Sequence, residues 1–149
     1  MTCPLCAELG RDDRLLTVAR LGRSRVFLND KQGCRGWCVL VLNRHVEHLD
    51  ELTTDEQRAV FGEVAIVARA VREVCRGDLG PPRINYECLG NQVGHVHWHV
   101  IPRHADDPDP RNPVWGWPAD RLAGNIGAAE RAALAARLNE SVRELAGGG

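Results

Sequence analysis

His95-Val96-His97-Trp98-His99-Val100-Ile101-Pro102 is the stretch on which the reading of this chain turns. Imidazoles alternate with apolar side chains at a strict step of two. In an extended strand, residues i, i+2 and i+4 share one face. The pattern therefore predicts a strand over His95 to Pro102, with Val96, Trp98 and Val100 facing a core. His95, His97 and His99 would stand about 6.5–7 Å apart on the other face. Such a face suits metal ligation, since neutral imidazole is a common ligand. It also suits nucleophilic attack on phosphorus, because a pKa near 6.5 leaves much of the imidazole as free base at neutral pH. The third reading is a solvated face that happens to be rich in histidine. Six histidines in 149 residues, three of them within five positions, make chance clustering unattractive. Spacing alone does not separate the two chemistries.

The residues just upstream bear on that choice. Ile84 to Leu89 reads as another strand, followed by Gly90-Asn91-Gln92-Val93-Gly94. The amides of Asn85, Asn91 and Gln92 can hydrogen-bond phosphate oxygens without adding charge. Gly90 and Gly94 let backbone N–H groups approach an anion closely. Each amide taken singly is also an ordinary turn residue.

Further out, residues 14–20 and 23–29 read as two short strands around Leu21-Gly22, and Gly36 to Leu42 as a buried strand. Thr53-Thr54-Asp55-Glu56 offers a capping box. Val60, Val64, Val67, Val71 and Val74 then form one helical stripe, with Gly77 as a candidate left-handed stop. Residues 104–118 are rich in Pro and Asp and carry Trp115 and Trp117, which reads as a long ordered loop. Leu134, Leu138, Val142 and Leu145 mark a second helix over 128–145, and Gly147-Gly148-Gly149 reads as a disordered tail. Helices do not alternate with strands, so the order predicts an α+β fold built on an antiparallel sheet of about five strands. Its one long central helix and a C-terminal helix would complete a single domain over 1–149, with a core at about 3–104 and a loop at 105–127.

The composition is that of a soluble globular chain, 44% hydrophobic and 26% charged. A net charge of −1 argues against a broad nucleic-acid surface. No apolar run approaches the roughly 20 residues that cross a bilayer, and Met1 to Cys6 does not read as a secretory signal. The expected location is cytoplasmic, where thiols stay reduced. Of six cysteines, Cys38, Cys75 and Cys88 lie in apolar patterns and are expected in the core. Cys3-Pro4-Leu5-Cys6 has the spacing of a metal knuckle. A redox pair or an unliganded pair shares that spacing, although no thioredoxin-like βαβ pattern follows.

His95-Val96-His97-Trp98-His99-Val100-Ile101 resembles the signature of the histidine triad (HIT) superfamily of nucleotide hydrolases and transferases, His-φ-His-φ-His-φ-φ with φ apolar. It fits at every position, and Ile101-Pro102-Arg103 is a usual continuation. Val26 to Asn29, Gly36 to Arg44 and Asp50 to Glu73 extend the resemblance over about residues 3–104. The resemblance implies a HIT-like fold and a reaction at the α-phosphate of a dinucleoside polyphosphate or nucleoside phosphoramidate. It implies that His97 is the nucleophile, forming a nucleotidyl-histidine, and that His99 polarises the scissile phosphate and assists the leaving group. Asn85 and Asn91 (or Gln92) would contact phosphate oxygens, and Asn29 the ribose. A zinc-bearing branch completes an N-terminal CxxC with two histidines, which here implies a structural Zn²⁺ on Cys3, Cys6, His45 and His95, with His48 competing for His45. The nucleotide substrate and a homodimer are the implied partners, and no organic cofactor is. One departure stands out. Where most members carry another active-site histidine after Gly36, this chain has Trp37. A stacking substitute, altered specificity, reduced activity and simple core filling are all open readings of it.

Overall fold

The computed structural model describes residues 3–11 and 16–148. Five strands, β1 (Thr17–Arg20), β2 (Ser24–Leu28), β3 (Cys38–Leu42), β4 (Arg83–Glu87) and β5 (His97–Arg103), form one sheet in the order β1-β2-β3-β5-β4. Every neighbouring pair is antiparallel, as the order of elements predicts. Residues 14 and 15, where the first strand was expected to begin, lie outside the described residues.

The long helix α2 (Thr54–Val74) starts where its chemistry says it must. The Thr53 side chain accepts from the Glu56 N–H, and Glu56 reaches back to the Thr53 N–H. Val60, Val64, Val67 and Val71 are buried, and Val74 packs at the margin. Burial of such a side chain contributes about 1.5–3 kcal/mol. The helix ends at Cys75 rather than at a left-handed Gly77. The positive φ falls instead on Gly80, inside a tight Gly77–Gly80 bridge. Helix α4 (Ala128–Gly147) lies beside α2, with Leu134, Leu138 and Val142 buried. It runs through Gly147, which was expected to lie in a tail, and Gly149 lies outside the described residues.

Both long helices pack on the face of the sheet that carries Val26, Leu40, Trp98 and Val100. A second cluster, of Cys34, Trp37, Ile101, Val114 and Trp117, forms on the other side. It lies beneath the segment expected to be loop, which also contains a short helix, α3 (Ala119–Ala123). Arg103 orders that segment from within. Its guanidinium bonds Asp107 at 2.6 Å and the carbonyls of Asp109 and Asn112 at 2.5 and 3.0 Å. Sequence periodicity missed α3 and also α1 (Pro4–Leu9), which is one and a half turns with no apolar stripe. Cys38 and Cys75 are buried as expected, but Cys88 is exposed, because the chain leaves the sheet at Glu87. Among the described residues no helix is long and apolar enough to cross a membrane.

A candidate active site and an adjoining cysteine–histidine cluster

The histidine run does not stay in one strand. β5 begins at His97, two residues later than alternation predicts. Val96 instead takes its backbone partners from the connection after β3, donating to Val46 O at 2.8 Å and accepting from Leu42 N–H. His95 therefore leaves the imidazole face. Its Nε2–H donates to the Leu42 carbonyl at 2.9 Å, which leaves Nδ1 as a lone pair.

That lone pair points into a cluster of four side chains. His95 Nδ1 lies 3.5 Å from both Cys3 Sγ and Cys6 Sγ and 3.3 Å from His45 Nδ1, which is 3.4 Å from Cys6 Sγ. All four candidate ligand atoms fall within 4.8 Å of one another. A tetrahedral ion with M–S about 2.3 Å and M–N about 2.0–2.1 Å requires S···N edges of about 3.5 Å and an N···N edge of about 3.3 Å. These four edges match, so the donor set fits a tetrahedral ion. α1 explains the CxxC spacing: Cys3 caps the helix and Cys6 lies one turn on, on the same side. Burial, with smaller effects of His45 and His97, holds the His95 pKa below its ordinary 6.5, which favours the neutral form a ligand needs. The Leu42 carbonyl orients His95 as an outer partner orients a metal-bound imidazole. Glu47 lies 3.8 Å from His45 Nε2 on the far side of that ring. His48, the competing candidate, caps the short turn Leu49–Glu51 and is not among the four.

His97 and His99 remain together on the open face, ring centroids 5.2 Å apart. They occupy neighbouring rows, His97 opposite Val41, and His99 between Val39 and Glu87. His97 Nδ1 lies 2.7 Å from the His95 carbonyl oxygen. A carbonyl can only accept, so Nδ1 carries the proton and Nε2 presents a free lone pair. The backbone of the cluster residue thus sets the tautomer of its neighbour. Burial, reinforced by His97 and Lys31, pushes the His99 pKa down to about 4, so His99 is neutral at physiological pH.

The two rings line a cavity of about 580 Å³ together with Asn29, Lys31, Trp37, Leu89, Asn91, Gln92, Val93, Trp115 and Leu122. Of the residues singled out from sequence, Asn29, Asn91, Gln92, His97 and His99 come together there. Asn85 does not. It lies on the same face opposite Ile101, but it lines a neighbouring cavity, and its amide donates to Glu87.

Sequence reasoning flagged Trp37 and the Trp115 loop without assigning a contact, and missed Gln32 and Arg131. Trp37 is buried, and its indole N–H donates to His99 Nδ1 at 3.1 Å. Trp115 stands edge-on to His99 and to Trp37, with centroids 5.0 and 5.4 Å apart, and its N–H donates to the Glu87 carboxylate. Buried Gln32 staples the preceding loop, donating to the carbonyls of Asn29 and Trp37 and accepting from Gly36 N–H. Arg131 of α4 holds the carbonyls of Asn29 and Asp30. Gly36 has φ +98° and a Cβ there would meet Cys75 Sγ at 2.3 Å, so only glycine can precede Trp37. The glycine was a visible signal. The Arg131 and Trp115 contacts reach 101 and 28 positions along the chain and leave no local pattern, while Gln32 acts within five residues but is a single amide with no signal of its own.

Comparison with known proteins agrees with this geometry. The family model of the HIT domain matches residues 16–106. The protein called Protein hit from Bacillus subtilis (strain 168) is 32% identical over 79% of this chain and 81% of its own length. The crystal structure of a histidine triad protein from Sinorhizobium meliloti superposes with a TM-score of 0.75 at 30% identity, covering 94% of this chain and 97% of that one. A zinc-bound histidine triad family protein from Mycobacterium smegmatis shares the fold, with a TM-score of 0.66 at 19% identity over 100% of this chain and 99% of that one. The complete triad signature, the antiparallel five-stranded sheet and the match across 16–106 have one meaning: the chain belongs to the histidine triad family of nucleotide-binding hydrolases and transferases.

Proposed function

We propose that this protein cleaves a nucleotide conjugate at its α-phosphate through a nucleotidyl intermediate on His97. The observation that carries this reading is the tautomer of His97. Its Nδ1–H is held by the His95 carbonyl, which leaves Nε2 as the attacking nitrogen of a ring that lines the cavity beside His99. In the first step the P–Nε2 bond forms, the bond to the leaving group breaks, and the leaving group keeps the electron pair. In the second step water forms the new P–O bond, the pair returns to Nε2, and the water proton passes to solvent. His99 hydrogen-bonds the reacting phosphate. Asn91 and Gln92 contact its oxygens, and Asn29, at the end of β2, contacts the ribose. Asn85 is left out of this set because of its position. The experiment is a panel of dinucleoside polyphosphates and nucleoside phosphoramidates, with mass spectrometry of rapidly quenched protein. A nucleotidyl mass on the His97 peptide is expected. Turnover with no adduct on that peptide in any quench would rule the intermediate out. Nucleotide binding with no turnover across the panel would favour a binding module instead.

Cys3, Cys6, His45 and His95 would hold a structural Zn²⁺, which supplies a closed four-ligand cross-link and no open position for water. The edge lengths above and the zinc-bound Mycobacterium smegmatis relative support this. The paired thiols suit a reducing, cytoplasmic setting. The protein acts as a homodimer in this reading. β4 is an edge strand, and exposed Tyr86 on it and Phe61 on α2 (57% and 54% accessible) leave apolar surface beside that edge. Light scattering at micromolar concentration should give twice the chain mass, and a monomer there would remove the dimer.

A further inference from the structure

Trp37 occupies the position of a supporting histidine, and the exchange changes what His99 can do. An indole N–H is a donor only. Its hydrogen bond to His99 Nδ1 requires that nitrogen to be unprotonated, so the proton of neutral His99 sits on Nε2. Trp37 cannot relay a proton onward, as a histidine there could. Protonating His99 at Nδ1 would break the Trp37 bond and place a cation in a half-buried site. His99 is thus built to donate a hydrogen bond and to remain neutral.

Among the described lining residues the remaining acid besides the two histidines is the Lys31 ammonium, a weak one. Its lining has no carboxyl group and no hydroxyl group. The nearby carboxylate, Glu87, is engaged by the Trp115 and Asn85 N–H groups. Lys31 also brings a positive charge to the lining.

We infer that Trp37 is a positioning residue that holds His99 as an Nε2–H donor, and that the site thereby selects phosphoanhydrides over phosphoramidates. The inference rests on the proposed attack by His97. When the bond broken is P–O of an anhydride, the leaving group departs as a phosphate anion. It takes the electron pair and needs no proton, since the second phosphate pKa is about 6. A hydrogen bond from His99 Nε2–H and the charge of Lys31 stabilise that anion. When the bond broken is P–N of an amidate, the nitrogen must gain a proton as it leaves, because without one it would depart as an amide anion, a far stronger base than phosphate. For that proton the lining offers only weak acids, the N–H of a neutral His99 and the ammonium of Lys31.

The test has two arms. The first measures kcat/KM for diadenosine tetraphosphate and for an adenosine 5′-phosphoramidate with the wild type, Trp37→Phe and Trp37→His. The wild type should favour the anhydride by about 100-fold or more. Trp37→Phe should lose anhydride activity mainly in kcat. Trp37→His should narrow the preference at least tenfold, because it restores a group that titrates. An equal or reversed wild-type preference overturns the inference. The second arm needs neither turnover nor a variant. Nitrogen-15 NMR of the wild-type histidine rings should show His99 with protonated Nε2 and an unprotonated, hydrogen-bonded Nδ1. A protonated Nδ1 overturns the inference even if anhydrides are cleaved. Absence of turnover on both substrates overturns the proposed reaction and the selectivity built on it, while the His99 spectrum still decides the Trp37 contact on its own.

Discussion

Replacement of His97 by alanine is expected to lower kcat by on the order of 10⁴-fold or more while nucleotide affinity changes only a few-fold. The size follows from the absence of a second nucleophile. Among the lining residues only His97 and His99 carry an imidazole, and the Nδ1 lone pair of His99 is taken by the Trp37 N–H. Affinity should survive because Asn29, Asn91, Gln92 and Lys31 come from other segments than β5. The shape of the loss matters as much as its size. A change confined to kcat marks an interaction made in the transition state, whereas a raised KM with unchanged kcat marks a lost binding contact. Steady-state kinetics on the best substrate of the panel, with calorimetric binding of AMP, separates the two. Turnover within tenfold of the wild type would remove His97 as the nucleophile.

The second large effect concerns the cysteine–histidine cluster. Stripping the metal with a chelator, or replacing Cys3 and Cys6 together by serine, is expected to lower Tm by about 10 °C or more. At about 2–4 °C per kcal/mol for a chain of this size, that corresponds to roughly 3–5 kcal/mol. The four ligands come from three segments. Cys6 and His45 are 39 residues apart, and His45 and His95 are 50 apart. One ion would close both loops and also join α1 to the body of the domain, to which the described contact from Arg25 to the Leu9 carbonyl already ties it. Function should follow stability here, because the carbonyl of His95 sets the tautomer of His97. Protons compete with the ion, which fixes the sign of the pH dependence. His95 is held below its ordinary pKa of 6.5 in the fold, so the unfolded chain takes up its proton first. The His95 contribution is therefore full above about pH 6.5 and declines as pH falls below it, and the two thiols, which must also lose protons to bind, work in the same direction. Metal analysis should give one zinc per chain, and thermal scans with and without chelator at pH 7.5 and 5.5 should converge at the lower pH. A zinc-reconstituted protein that carries no metal, or a Tm that chelator leaves unmoved, would sink this prediction.

Most of the architecture was legible because it rests on short-range periodicity. The period-two pattern of β5, the Thr53–Glu56 box and the valine stripe of α2 are each decided by residues within a few positions of one another. The same holds for the His97 and His99 pair, which share a face by strand geometry alone. Errors fell where local pattern loses authority. Alternation predicted His95 in the strand, but the backbone at Val96 is claimed by Val46, fifty residues earlier. Cys88 sits in an apolar run, yet the strand ends before it. α1 and α3 are too short to leave a periodic signal and are held by what they touch.

The residue types therefore decided the chemistry, and the fold decided its division. Three histidines at a step of two predict a line of imidazoles, because the pleat of a strand puts alternate side chains on one face. Only the tertiary structure separated them, because each ring takes the role of the partner its nitrogen meets. His95 meets two thiols and a second imidazole, His97 meets a carbonyl, and His99 meets the indole of Trp37. Those partners lie between 2 and 92 positions away in the chain, and most are beyond the reach of any sequence period.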